Sequence, residues 1–219
     1  MNLVKTLLSS LFIALSVFAA RAQKVFLTGD SHVSAKVYAE KVGEILKKNI
    51  PGVEYSFWGK GSAGFYTFND TKEYMDKIFD AQPEVLVVHL GTNGSYSKFD
   101  KEKFINDMTL FYQNVREKLP DTKIVFITPF DNKKKENQTG KWYVNPNTRN
   151  CAETIITVSE NLPGTFVIDN NKDAGSIFAD SSDLIRQDHI HLTINGYKLL
   201  GEQVAGALLA IPELWSLEN

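Results

Sequence analysis

KVFLTGDSHVSAKVYAEKV, residues 24–42, begins as a short apolar run, breaks at Gly29, and continues with Ala35, Tyr38 and Val42 at helical steps that extend to Ile45. A short apolar run ending in glycine reads as a strand, and three- and four-residue spacing reads as one face of a helix. Strand, tight turn and helix in that order form the first half of a βαβ unit. The reading of the whole chain turns on whether the pattern repeats.

It does repeat. PGVEYSFWG (51–59) punctuates the chain and starts a second strand, and a Gly/Ser loop and a helix over TKEYMDKIFDA (71–81) follow. PEVLVVHLG (83–91) is the continuous apolar run of a strand covered on both faces. Phe104, Met108, Phe111, Tyr112, Val115 and Leu119 then mark one face of a long helix. TKIVFITPF (122–130) and GTFVIDN (164–170) are the fourth and fifth strands, and Tyr197, Leu200, Val204 and Leu208 stripe a last helix. This alternation predicts a three-layer α/β/α domain around a five-stranded parallel sheet in the flavodoxin-like order 2-1-3-4-5. Asp131 to Asn147 is expected to be an irregular polar loop.

The first 22 residues read differently. Lys5 is followed by an apolar run from Leu7 to about Ala20, with small residues at Ala20 and Ala22. That is the pattern of a cleavable secretory signal, cut after Ala22, and the run is short for a membrane span. Residues 23–219 are then expected to form a single exported catalytic domain with no stable membrane anchor. The net charge of −2 gives no reason to expect nucleic acid as a partner. Cys151 is the only cysteine, so no internal disulfide is available, and without a supporting motif it reads as a buried thiol.

In a parallel sheet of this kind, ligands bind where the C-terminal strand ends meet. Four segments are expected there: GDSH after strand 1, GKGSAG after strand 2, GTNG after strand 3, and DHIH ahead of the last helix. Ser31 is a weak nucleophile until a neighbouring base takes its proton. On its own it reads as well as a helix cap, like Asp30. DHIH supplies a histidine and an acid to orient it: Asp188 with His191, although spacing alone leaves His189 open. The Ser31 N–H, a glycine N–H from GKGSAG and the Asn93 amide are candidate donors to a developing oxyanion.

Taken together, TGDSH, GSAG, LGTNG and DHIHLT resemble the four blocks of the SGNH (GDSL-like) hydrolases, over essentially all of residues 23–219. The resemblance implies a serine esterase with Ser31 as nucleophile, His191 as base and Asp188 as its partner. It implies an oxyanion hole of Ser31, Gly64 and Asn93, with Gly61 the alternative glycine. It also implies no metal and no organic cofactor. One departure is clear: Gly94 stands where the family usually has aspartate.

An exported esterase of this type is expected to remove short acyl groups, O-acetyl above all, from carbohydrate or cell-wall polysaccharide. The alternatives are a lipase or thioesterase for longer acyl chains and a non-catalytic carbohydrate-binding module. Trp142, Tyr143 and His32 are candidate substrate contacts, as are Trp58, Phe65 and Tyr66 beside the second strand. The loop 131–147 is a candidate lid.

Overall fold

The computed structural model describes residues 23–96, 99–135, 139–173, 178, 181 and 183–215. The expected signal, residues 1–22, lies outside them. Five strands form one parallel sheet: β1 (Lys24–Gly29), β2 (Glu54–Gly59), β3 (Val85–His89), β4 (Lys123–Ile127) and β7 (Thr165–Ile168). Their spatial order is β2-β1-β3-β4-β7, the order expected.

Side chains alternate across the sheet with period two, and this divides the core. Val25, Leu27, Val85, Val87, Val125 and Ile127 face one layer, which holds the helices Val37–Asn49 and Ile194–Leu209. Phe26, Leu86, Val88, Ile124 and Phe126 face the other, which holds Phe65–Asp70, Lys72–Ala81 and Lys101–Lys118. All five residues of β3 are buried, as a central strand between two layers requires. Each fully buried aliphatic side chain stabilises the fold by about 1.5–3 kcal/mol relative to exposure.

Two parts differ from the sequence-based expectation. The stretch 131–147 is not simply irregular: β5 (Lys133–Lys135) and β6 (Trp142–Val144) pair as an antiparallel hairpin. Residues 136–138 and the Trp142 side chain lie outside the described residues. In addition, Pro146–Ser159 is a helix that packs Cys151 and Ile155 into the second layer. Its buried face also carries Thr148, Thr154 and Ser159, which blurs the apolar period. The clearer signal is its start: Asn145 caps it through a 3.2 Å bond from the Asn147 N–H, and Pro146 occupies the first turn.

The strand register brings the functional segments together. Gly29 lies opposite both Gly59 and His89, and His89 lies opposite Ile127. The residues following β1, β2 and β3 therefore leave the sheet at one rim. Gly29 allows this closeness, since a Cβ there would lie 2.4 Å from the His89 carbonyl oxygen. Gly91 turns the chain after β3 with φ of +126°, a conformation that strains other residues.

Candidate active site

Ser31 does not open the long helix, as the spacing suggested. It begins a separate turn, Ser31–Ser34, and Lys36, with φ of 67°, breaks the chain before Val37–Asn49. Asp30 caps this turn by accepting the His32 N–H at 3.0 Å. Any favourable dipole at Ser31 therefore comes from one turn and not from a long helix. Among the described residues, no acceptor is paired with the Ser31 N–H.

Asp188 and His191 sit on a tight loop closed by an antiparallel bridge between Ile185 and Leu192. The Arg186 N–H donates to the His191 carbonyl at 2.7 Å, and the His189 N–H to the Arg186 carbonyl at 2.9 Å. His189 turns the chain with φ of 56°. Asp188 accepts the Ile190 and His191 N–H groups through Oδ1, each at 2.9 Å. Its other oxygen meets His191 Nδ1 at 2.9 Å, and His191 Nε2 lies 2.9 Å from Ser31 Oγ. Ser31, His191 and Asp188 are thus in one hydrogen-bonded line, and it is His191 rather than His189 that faces the serine. Burial works to raise the Asp188 carboxyl. The bonds from His191 and Ile190 outweigh it and hold the group below its ordinary value.

Asn93, in the turn Thr92–Tyr96, donates one amide hydrogen to the Ala63 carbonyl at 2.8 Å. This orients the amide and leaves its second hydrogen for a ligand. Gly64 is the next residue after Ala63, which places it beside Asn93. Its N–H, however, is donated to Thr67 Oγ1 at 3.0 Å. An oxyanion would have to share that hydrogen with Thr67 or displace it. Gly61 is exposed on the preceding turn.

His32 is corrected as a substrate contact. It is fully buried, with its ring packed against Phe130 at 4.9 Å, His191 at 5.7 Å and His89 at 5.8 Å. The turn Ser31–Ser34 directs successive side chains apart, so Ser31 reaches the rim while His32 faces inward. Tyr143 is exposed on the hairpin, which joins the His191 loop where the Lys133 N–H donates to the His189 carbonyl at 3.1 Å. Cys151 is buried in the second layer, and burial pushes its thiol up to about 12.

The sequence reading missed the polar ground beneath Ser31. Asp30, His32 and His89 are all fully buried. Burial lowers His89 to about 3 and His32 well below its usual value, so both rings are neutral under ordinary conditions. Burial also raises Asp30 from 3.8 to about 6, against the hydrogen bond from the His32 N–H. Because its folded value is raised, Asp30 contributes stability that is complete below pH 3.8 and is lost as the pH rises through about 6. A change of this size corresponds to about 3 kcal/mol. Asp30→Asn keeps the cap and removes the titration. Its stability advantage over wild type is expected to be larger at pH 7.5 than at pH 4.5, measured by urea unfolding at both. Parallel pH dependences in the two proteins would contradict this assignment.

Comparisons with known proteins follow the same lines. No curated protein sequence matches the chain significantly. Among solved structures, the acetyl xylan esterase AlAXEase is 20% identical, with a TM-score of 0.68 over 84% of this chain and 99% of its own. A peptidoglycan O-acetylesterase is 10% identical, with a TM-score of 0.73 over 88% and 92%. A catalytic mutant of Axe2, an acetylxylan esterase from Geobacillus stearothermophilus, is 12% identical, with a TM-score of 0.66 over 90% and 97%. At these identities the likeness is one of fold. The sequence family is defined separately: residues 27–199 match the model of the GDSL-like Lipase/Acylhydrolase family. That match spans every segment gathered at the rim, and on it the chain belongs to the GDSL-like lipase/acylhydrolases, the SGNH hydrolases.

Proposed function

We propose that the protein is an exported serine esterase that hydrolyses short acyl esters, principally O-acetyl groups on carbohydrate or cell-wall polysaccharide. The observation that carries this reading is the unbroken line from Asp188 through His191 to Ser31, with 2.9 Å at each step. His191 Nε2 takes the Ser31 proton as Oγ attacks the acyl carbon. Asp188 holds the Nδ1–H tautomer and stabilises the imidazolium that forms. The Ser31 N–H and the free Asn93 amide hydrogen receive the oxyanion, and the Gly64 N–H joins them when it gives up Thr67. As the tetrahedral intermediate collapses, the leaving alcohol takes the proton from His191, and the acyl group remains on Ser31. Water, deprotonated by His191, then attacks the acyl-enzyme; the acid departs and Ser31 recovers its proton.

The acetyl preference is supported by the names of the structural neighbours, acetyl xylan and peptidoglycan O-acetylesterases. Export is supported by the leader pattern of residues 1–22, with residues 23–219 as one catalytic domain. Residues 23–219 are tested with p-nitrophenyl acetate, butyrate and octanoate. kcat/KM is expected to be highest for acetate and at least tenfold lower for octanoate. A maximum at octanoate would replace this reading with a lipase or thioesterase, and absence of turnover on all three would point to a binding module.

A further inference from the structure

A cavity of about 280 Å³ begins at Asn93 and runs outward between the helices Phe65–Asp70 and Lys101–Lys118. Its walls combine the aromatic rings of Tyr66, Phe99 and Phe104 with the charged side chains of Asp100, Lys103 and Asp107. Three aromatics near the end of β2 were candidates for stacking on a ligand, and the fold separates them. Phe65 is 2% exposed in the core, and Trp58 packs on Tyr74 at 4.9 Å, but Tyr66 is 44% exposed. The Tyr66 ring also rests against Gly64, where a Cβ would lie 2.9 Å from it. This ring therefore links the candidate oxyanion site to the cavity.

We infer that the cavity is a subsite for a neutral pyranose ring adjoining the acylated position, with Tyr66 as its platform. The inference rests on the carbohydrate-ester reading above. A pyranose presents apolar C–H faces ringed by hydroxyls, so it is matched by aromatic surface with carboxylates and an ammonium at its edge. An acyl chain in the same space would take water from those charges and offer no hydrogen bonds in return, whereas sugar hydroxyls can bond to their free edges. The volume lies just below the roughly 300–1,000 Å³ of sites for drug-sized ligands, which suits one ring better than an extended chain. The Lys103 ammonium lies over the Tyr66 ring, 5.5 Å from its centre, and is tied to Asp107 at 2.8 Å. Two carboxylates against one ammonium leave a negative excess, which disfavours a uronate.

Gly94 lines this subsite and packs against Phe104. A Cβ at that position would meet two carbons of the Phe104 ring at 3.0 and 3.1 Å. A side chain there would have to displace Phe104, which is itself a wall of the cavity.

The test uses Ser31→Ala protein, which can hold substrate without turning it over, titrated calorimetrically with acetylated xylotetraose. Adding Tyr66→Ala is expected to weaken binding tenfold or more, and adding Gly94→Asp to weaken it as well. Acetylated oligogalacturonate is expected to bind at least tenfold more weakly than the xylotetraose. Equal affinity with and without Tyr66→Ala, no binding of the xylotetraose by Ser31→Ala protein, or tighter binding of the galacturonate would each overturn the assignment. Tyr66→Ala keeps the test decisive if Gly94→Asp fails to fold. Failure of the esterase reading has a separate signature: no Ser31-dependent turnover of p-nitrophenyl acetate, whatever the sugar titrations show.

Discussion

Ser31→Ala is expected to lower kcat on p-nitrophenyl acetate by about 10⁴–10⁶-fold, the scale at which a serine nucleophile is lost. The prediction is this strong because the substitution removes Oγ and little else. The turn Ser31–Ser34 is capped by Asp30, not by Ser31. The Ser34 hydroxyl bonds to the Ser31 carbonyl, which alanine retains. The Ser31 N–H also remains, so the proposed oxyanion donors survive along with the cavity beside them. Melting temperature is therefore expected to stay within a degree or two of wild type while turnover disappears. Residual activity above about 1% of wild type would show that another group attacks the ester, and Ser31 would lose its role.

Asp188→Asn is expected to cost about 10⁴ in kcat, with a much smaller change in KM. Asp188 has two structural tasks, since Oδ1 receives two backbone N–H groups while Oδ2 receives the His191 ring. Asparagine cannot perform both with a single acceptor oxygen. If its oxygen faces the backbone, its NH₂ faces His191 Nδ1 and stabilises the wrong tautomer, putting a hydrogen on Nε2 where a lone pair is needed. If it faces the ring, the loop loses the two bonds that hold it. In both arrangements the imidazolium loses its anionic partner. Steady-state kinetics of the single variants and of Ser31→Ala/Asp188→Asn are the check. The double variant is expected to be no slower than Ser31→Ala alone, because the groups act as a unit. A loss of less than tenfold for Asp188→Asn would mean that His191 works without this carboxylate.

Much of this arrangement is legible in the chain because sheet proteins record burial locally. VLVVH reads as a central strand since both of its faces are covered, and the parallel order follows from strands separated by helices. The four motif blocks are legible for a related reason, since each follows a strand or precedes a helix whose position is already determined. The hairpin at Lys133–Lys135 and Trp142–Val144 was not legible, because lysines and scattered aromatics carry no alternating apolar face. The helix Pro146–Ser159 was obscured for the opposite reason. Its buried side includes Thr148, Thr154 and Ser159, polar residues that hide a helical period even though Asn145 and Pro146 mark its start.

Residue order by itself determined the layers, the strand order, the rim and the short set of residues proposed to do acyl chemistry there. The physical cause of choices among neighbours of the same type, even where the motif blocks already named one, belonged to the tertiary structure. His191 faces Ser31 because the 185–192 loop turns at His189 and closes through Ile185 and Leu192. His32, one residue from Ser31, lies in the core beside His89, and Tyr66 rather than Phe65 meets solvent. Thr67, unremarkable in the chain, occupies the N–H of Gly64. The physical reason is the same in each case. Periodicity encodes which face of an element is buried, whereas a hydrogen bond depends on direction and on a few tenths of an ångström between segments far apart in the chain, and only packing sets those.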